Sequence, residues 1–389
     1  MTTNTAISPL METYKRFPVH LVKGKGSYVW DTANQQYLDF TSGIATCNLG
    51  HVPDTVKQKV TQQLENLWHC SNLYHIDKQE QLAAVLTEHS CLDQAFFCNS
   101  GAEANEAAIK LARLYQTKRK TIVTFQQSFH GRTMATLSAT GQEKIQTGYA
   151  PLLSGFTYLT YNDQGSLSKL KEIKPAAVML ELVQGEGGVI PADQQWIKEL
   201  VTLCTEEDIL LIVDEVQTGM GRTGTLFAYQ QYGFEPDIIT LAKGLGSGFP
   251  IGAMMAKKEV ANVFQSGTHG STFGGNPLAV TAGLATLDEL LHTPVIKKGV
   301  EKSNVLMTYL EQLKQDFPQI KSIRGRGLLI GMDVGDAASD VVKAAIEEKL
   351  LILTAGTTVL RLLPPLTITE EDILLFKKKF RNALEKVFS

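Results

Sequence analysis

Lys243 occupies a position where an amine could do covalent chemistry. It follows the mostly apolar run DIITLA and precedes the glycine-rich segment GLGSG. Burial lowers the pKa of a lysine, and the neutral amine is nucleophilic enough to form a Schiff base. The alternative is a surface lysine whose aliphatic stem lies along apolar neighbours while its charge reaches water.

Asp214 closes a second apolar run, ILLIVD. A carboxylate at the end of such a strand is largely desolvated and needs a cationic or hydrogen-bonding partner. The carboxyl ends of strands in an open α/β sheet are also where ligands bind. A cationic group of a ligand is therefore one candidate partner for Asp214.

A helix start in the segment CNSGAEANEAAIKLA supplies a third group. Ser100 and Glu103 have the spacing of a capping box, and the next amides, those of Gly101 and Ala102, lie in the first turn. Free amides and the positive end of the helix dipole suit a phosphate. The same pattern also fits an ordinary capped helix.

A Schiff-base lysine, a buried acid and a phosphate site are together what pyridoxal phosphate requires. No histidine pair has a metal-ligand spacing such as HExxH, so we expect no metal. A different class of enzyme, an NAD-dependent dehydrogenase, is an alternative, because Gly219, Gly221 and Gly224 have the GxGxxG spacing of a dinucleotide-binding loop. Four residues separate that motif from Asp214, and only a weak helical pattern follows it. A binding protein without chemistry is a further alternative.

The segments LLIVDEVQTGMGRTG and LAKGLGSG, with Lys243 placed 29 residues after Asp214, resemble the class III (ornithine-type) pyridoxal-phosphate aminotransferases. The resemblance runs from TYKRFPV to RLLPPL, and within the family it favours the enzymes that act on N2-acetylornithine. It implies an α/β fold of fold type I, with a large α/β domain around a mostly parallel sheet and a smaller α+β domain. Leu182 departs from the proline that the family usually has there.

The resemblance also implies roles at the cofactor. Lys243 would bind it covalently and move the substrate proton, and Asp214 would keep its ring nitrogen protonated. The other implied contacts are Gly101, Ala102 and Thr272 at the phosphate, Val216 and Phe129 on the two ring faces, Gln217 at the phenolic oxygen, and Glu215 in the same loop. Thr272 would come from a partner subunit, so the implied homodimer shares its active sites.

Substrate contacts are implied in the same way for Arg132, Ser271, Glu186, Arg361 and Tyr14. Arg132 would hold the α-carboxylate, and Glu186 would pair with Arg361 in one half-reaction and free it for 2-oxoglutarate in the other. The implied reaction converts N2-acetylornithine and 2-oxoglutarate to N-acetylglutamate 5-semialdehyde and glutamate, in arginine biosynthesis. Ornithine, succinylornithine, acetyl-lysine and 4-aminobutyrate are alternative amino donors.

Composition excludes several other classes. The 389 residues carry a net charge of -3, with no basic excess for a nucleic-acid partner. Apolar residues make up 43% and charged residues 20%, which is typical of a globular chain. Five cysteines without a CxxC pair favour reduced thiols and a cytoplasmic location. We expect no signal peptide and no membrane span.

The elements that must position these residues alternate in a βαβ manner between about residues 90 and 260. We predict an N-terminal segment over 1–49 that contributes to the small domain, a large cofactor-binding domain over 50–280 and a C-terminal small domain over 281–389. The strands expected to end at the site are Ala95–Asn99, Thr121–Phe125, Ala176–Glu181, Ile209–Asp214 and Asp237–Ala242, with a further strand at Gly252–Ala256.

Overall fold

The computed structural model describes residues 9–389. Its strands are distributed between Leu21 and Leu362. They are β1 Leu21–Lys25, β2 Tyr28–Asp31, β3 Gln36–Asp39, β4 Gln94–Cys98, β5 Ile122–Phe125, β6 Phe156–Leu159, β7 Ala177–Leu180, β8 Val183–Gln184, β9 Ile190–Pro191, β10 Leu210–Asp214, β11 Ile238–Leu241, β12 Gly252–Ala256, β13 Ser322–Arg326, β14 Leu329–Asp333, β15 Leu350–Leu351, β16 Leu353–Ala355 and β17 Val359–Leu362.

The helices lie between these strands and at the end of the chain. They are α1 Ser42–Ala45, α2 Asp54–Leu64, α3 Asp77–Glu88, α4 Gly101–Tyr115, α5 Met134–Ala139, α6 Glu143–Gln146, α7 Gln164–Ile173, α8 Gln194–Glu206, α9 Lys258–Ala261, α10 Pro277–His292, α11 Val295–Asp316, α12 Ala338–Glu347 and α13 Glu370–Phe388. Short 3-10 turns occur at Ala228–Gln231, Lys243–Leu245 and Gly335–Ala337.

Seven strands form the central sheet, in the order β4-β12-β11-β10-β7-β5-β6. All of them run parallel except β12, which is antiparallel to both of its neighbours. Every residue of β10 is buried, as expected for a strand covered on both faces. The predicted α/β fold with a mostly parallel sheet is confirmed, and the carboxyl ends of β4, β5, β7, β10 and β11 share one edge.

Helix α4 begins directly after β4 and covers one face of this sheet. Its apolar side, including Ile109 and Leu111, packs with Met179, Ile212 and Met254 of the strands. On the opposite face, α8 contributes Trp196 and Leu200 to the larger core. Because both faces are sealed, solvent and ligands reach the sheet only at its edges.

Two smaller four-stranded sheets lie outside the central one. The first has the order β1-β2-β3-β15, so the beginning of the described chain pairs with a strand near its end. The second has the order β13-β14-β17-β16 and is antiparallel throughout. Strands β13 and β14 form a hairpin, in which Gly327 turns the chain at a φ of 53°. The predicted domain boundaries stay a prediction.

Arg222 joins distant parts of the chain. Its guanidinium is fully buried and donates to Asn48 Oδ1 at 2.6 Å, to the carbonyl of Leu328 at 3.1 Å and to the carbonyl of Pro364. Burial lowers the pKa of this arginine to about 9. The side chain thus ties the segment before α2 to both ends of the β14–β17 region.

Within residues 9–389, no helix is long and apolar enough to cross a bilayer.

Candidate active site

A cavity of about 450 Å³ opens at the carboxyl edge of the central sheet. Each of the five strand ends named above contributes residues to its wall. Nine of the predicted site residues meet there, namely Gly101, Ala102, Phe129, Arg132, Glu186, Asp214, Val216, Gln217 and Lys243. A set chosen from separate segments of the sequence therefore converges on a single cavity.

Lys243 lies two residues beyond the last residue of β11. Its φ is 43°, in the left-handed region that residues other than glycine seldom adopt, and it begins a 3-10 turn. Burial lowers the pKa of the Lys243 amine, and the neighbouring carboxylate of Glu186 opposes that shift. The environment therefore favours the neutral, nucleophilic amine more than water does.

Asp214, at the end of β10, is only 2% exposed. Its Oδ2 accepts hydrogen bonds from Asn105 Nδ2 at 2.8 Å and from His130, assigned here as the Nδ1–H tautomer, at 2.8 Å. Its Oδ1 accepts the Val216 amide at 3.0 Å. Three donors thus surround the Asp214 side chain, and Oδ1, which can accept two bonds, has capacity for a donor in the cavity.

Helix α4 starts at the cavity with Ser100 as its N-cap. Ser100 Oγ accepts the Glu103 amide at 3.2 Å, and Glu103 Oε2 accepts the amide of Asn99, one residue earlier than a standard capping box, at 2.5 Å. A Cβ on Gly101 would lie 2.7 Å from Val216 Cγ1. Only glycine leaves room for Val216, so the first amides of the helix stay accessible to an anion.

Phe129 and Arg132 form one rim of the cavity. The Phe129 ring is half-buried, and the guanidinium carbon of Arg132 lies 5.7 Å from its centre. Arg132 is exposed at the mouth, where its planar fork can accept a carboxylate in two hydrogen bonds.

Glu186, which lines the cavity, is paired with Arg361 behind it. Arg361 Nη1 donates to Glu186 Oε1 at 2.5 Å and to Gln217 Oε1 at 3.4 Å. Arg361 is 2% exposed. Burial raises the pKa of Glu186, but the charge of Arg361 outweighs it and the net shift is downward. The arginine is thus neutralised by the acid while the two stay together.

Glu215 and Tyr14 lie apart from this cavity. The Glu215 carboxylate is directed to Tyr229, whose amide it accepts at 2.9 Å, and to the Thr218 hydroxyl at 2.5 Å. Burial raises its pKa to about 7. The structure does not bring its side chain to the expected cofactor position. Tyr14 is 74% exposed and lies beside Arg16 rather than at the cavity.

Ser271 and Thr272 line a second cavity, of about 840 Å³. Ser271 Oγ accepts from Asn99 Nδ2 at 3.3 Å, so the two cavities are neighbours through Asn99. Within one chain, neither residue is at the Lys243 cavity.

The GxGxxG segment packs against other parts of the chain. No α-helix follows it directly, only the 3-10 turn Ala228–Gln231. A Cβ on Gly221 would lie 2.8 Å from Leu366 Cδ1, and one on Gly224 would lie 2.9 Å from Val300 Cγ2. These glycines make room for side chains from α11 and from the segment before α13, and the dehydrogenase alternative is wrong.

Two residues of the site, Asn105 and Glu181, escaped the sequence reasoning, and His130 entered it only as a histidine without a metal-ligand spacing. Asn105 and His130 hold Asp214, and Glu181 lines the cavity. A signal was present for Asn105, since it is a lone asparagine on the buried, alanine-rich face of α4. For His130 the signal was its position, since it directly follows Phe129, which the family resemblance places at the cofactor ring. No group of three or more His, Cys, Asp or Glu side chains within residues 9–389 could hold a metal ion.

Known proteins match the chain over nearly its full length. The family model described as aminotransferase class-III matches residues 10–384. An acetylornithine aminotransferase of Oceanobacillus iheyensis is 56% identical over 376 residues, which is 95% of this chain and 94% of that protein. Among solved structures, an ornithine aminotransferase of Toxoplasma gondii superposes with a TM-score of 0.92 at 32% identity, covering 97% and 93% of the two chains. An N-acetylornithine aminotransferase of Stenotrophomonas maltophilia has a TM-score of 0.85 at 37% identity, covering 96% and 97%.

The residues present fit pyridoxal phosphate. Asp214 Oδ1 has a free acceptor position, Gly101 keeps an amide cradle open, and Lys243 supplies a desolvated amine in the same cavity. Fold and site thus define a pyridoxal-phosphate-dependent transferase of fold type I. More narrowly, the chain belongs to the class III aminotransferases and is a transaminase.

Proposed function

We propose that this transaminase moves the δ-amino group of N2-acetylornithine to 2-oxoglutarate, forming N-acetylglutamate 5-semialdehyde and glutamate in arginine biosynthesis. The observation that carries the proposal is the Glu186–Arg361 pair beside Lys243, with a second arginine, Arg132, at the mouth. The 56% identical relative named acetylornithine aminotransferase supports the same substrate.

When bound, pyridoxal phosphate supplies an electron sink that makes a proton on the substrate's amine-bearing carbon removable. Lys243 Nζ would take that proton and return it, because its lowered pKa leaves a fraction of the amine neutral. Asp214 would keep the ring nitrogen protonated through its ionised carboxylate. The amides of Gly101 and Ala102 would bind the phosphate.

Three other side chains would hold the ring in place. Val216 and Phe129 would contact its two faces, and Gln217 would donate to its phenolic oxygen. All three line the cavity. Gly185 is needed for this arrangement, since a Cβ there would lie 1.8 Å from Gln217 Oε1.

The two arginines would allow one site to bind two different substrates in turn. Arg132 would bind the donor's α-carboxylate while Glu186 neutralises Arg361, which leaves the distal amine directed to Lys243. In the other half-reaction, Glu186 would release Arg361 for the second carboxylate of 2-oxoglutarate. An acetyl group on the α-nitrogen removes a positive charge that this site would otherwise need to compensate.

We expect N2-acetylornithine to give the highest kcat/KM among acetylornithine, succinylornithine, ornithine, acetyl-lysine and 4-aminobutyrate, with 2-oxoglutarate as acceptor. Arg132→Ala should lower kcat/KM for acetylornithine by about a hundredfold, because a charged bidentate contact is lost. Arg381→Ala, which removes an exposed arginine of α13, is the matched control. If ornithine or 4-aminobutyrate is the best donor, the chain is still a class III transaminase but the proposed substrate is wrong.

We also propose a homodimer with shared active sites. Thr272 and Ser271 lie outside their own chain's Lys243 cavity, and exposed apolar side chains surround the second cavity, including Phe273 at 59% and Leu73 at 88%. Such a patch is typical of a protein interface. Thr272 would then reach the phosphate of the partner subunit's cofactor.

Mixing two inactive variants tests this sharing. Lys243→Ala and Thr272→Glu homodimers should both be poorly active, since one lacks the amine and the other places a carboxylate at the phosphate. After subunit exchange, a mixed dimer contains one intact site, so activity should recover to about a quarter of wild type. No recovery, with mixed dimers present by native mass spectrometry, would contradict a shared site.

We propose a cytoplasmic location because the cysteines of the chain form no disulfide bond. All five cysteines are unpaired. Reduced thiols are typical of that compartment. Cell fractionation checks the proposal.

A further inference from the structure

Glu181 is a buried carboxyl to which the mechanism above gives no task. It directly follows β7, is 5% exposed and lines the same cavity as Lys243 and Asp214. Each of its oxygens accepts one backbone amide. Oε1 accepts the Phe129 amide at 2.9 Å, and Oε2 accepts the Gly185 amide at 3.2 Å.

These two amides belong to different loops. Phe129 is in the loop after β5, which also carries Arg132, and Gly185 directly precedes Glu186, the acid paired with Arg361. The backbone of Glu181 is itself held in place, because its carbonyl oxygen accepts a hydrogen bond from the Tyr161 hydroxyl at 2.7 Å. One carboxylate therefore joins the loop at the cavity mouth to the loop of the paired acid.

We infer that Glu181 is a positioning residue that couples the Phe129 loop to the Glu186–Arg361 pair. One carboxylate would then fix both the contact of Phe129 with the cofactor ring and the pair of residues that selects the substrate. The inference rests on the proposed function only where it concerns substrates. It needs both carboxylate oxygens as acceptors, one for each amide. Any change that leaves one acceptor oxygen should free one of the two loops.

The charged surroundings of Glu181 make this coupling sensitive to pH. Burial raises the pKa of the carboxyl to about 7; His130 favours its ionised form and Asp214 opposes it. Lys243 also interacts with it, and the Tyr161 hydroxyl approaches the same residue. As the pH falls through about 7, the carboxyl becomes protonated and accepts the second amide poorly, so the coupling weakens.

The test is Glu181→Gln, which keeps the size of the side chain but has only one acceptor oxygen. Hydrogen exchange read by mass spectrometry, on protein with and without cofactor, should show about tenfold faster exchange at the Phe129 or the Gly185 amide. Glu172→Gln makes the same change at an exposed position of α7 and should leave both amides unchanged. Wild-type exchange rates at both amides of Glu181→Gln would overturn the inference.

Kinetics supply the second readout. Where Glu181→Gln frees the Gly185 amide, the looser Glu186 loop should raise KM for acetylornithine about fivefold while KM for 2-oxoglutarate changes less than twofold. An equal rise in both KM values would indicate a merely structural role and overturn the inference. If acetylornithine is not the donor at all, the proposed function fails, but the exchange result still decides the role of Glu181.

A wild-type measurement covers the case in which the glutamine variant does not fold. Relative to peptides elsewhere in the chain, protection of the Phe129 and Gly185 amides should fall as the pH drops from 8 to 6. Protection that is constant over this range would contradict the inference. Where the variant does fold, it should lack this pH response, which separates Glu181 from the titration of its neighbours.

Discussion

Replacing Lys243 with alanine should lower the rate of transamination by several orders of magnitude while the protein stays folded. Among residues 9–389, Lys243 is the only lysine that lines the cavity, and burial lowers its pKa, which favours the neutral amine that can take a proton. The carboxyls of Glu186 and Glu181 are poor replacements, because Glu186 is engaged by Arg361 and Glu181 accepts two backbone amides. The cofactor should still bind, without a covalent link, through the phosphate cradle and Asp214.

Single-turnover kinetics measure the rate of transamination, and an absorbance titration with the cofactor measures the affinity of the variant for it. Lys258→Ala, an exposed lysine 15 residues further along the chain, is the control and should be fully active. Turnover of Lys243→Ala close to the wild-type rate would exclude this residue as the catalytic amine.

Asp214→Asn should have the second-largest effect, a loss of kcat of roughly a hundredfold to a thousandfold, with less than about tenfold weaker cofactor binding. The amide is neutral and cannot hold a proton on the ring nitrogen. It is also mismatched to its neighbours, because Asn105 and His130 both direct donors at this side chain. Binding suffers less, since the phosphate contacts and Lys243 are unchanged.

Asp288→Asn, at an exposed position of α10, is the matched control for this change. The kcat comes from steady-state rates and the cofactor affinity from fluorescence titration. If Asp214→Asn keeps its rate, another acid must be the partner of the ring.

The sequence predicted the site best where chemistry and strand pattern coincide. Lys243 and Asp214 each end an apolar run, so their placement at one sheet edge followed from the topology of parallel strands. Val216 and Gln217 were located through the family resemblance alone, and the structure places them at the same cavity. Local pattern was sufficient for Lys243 and Asp214, because each lies within two positions of the last residue of a strand.

The sequence predicted the site least well where a contact depends on side-chain direction or on another subunit. The direction of Glu215 is set by Thr218 and Tyr229, partners that no spacing rule includes. Glu181 meets Phe129, 52 positions away, through a backbone amide, and amides carry no residue-specific signal. Ser271 and Thr272 line their own cavity within one chain, and their predicted roles depend on an interface.

Arg222 has a consequence for how the enzyme is made in the cell. Its acceptors lie at Asn48, Leu328 and Pro364, so the terminal nitrogens of the buried guanidinium gain these hydrogen bonds only after the chain has been made as far as Pro364. Until the ribosome has released the segment around Pro364, this cation has to stay hydrated, and the interior around it cannot close. The interior around Arg222 therefore closes only after the segment around Pro364 has been made, and shortened chains that stop before Pro364 should be targets of chaperones and proteases.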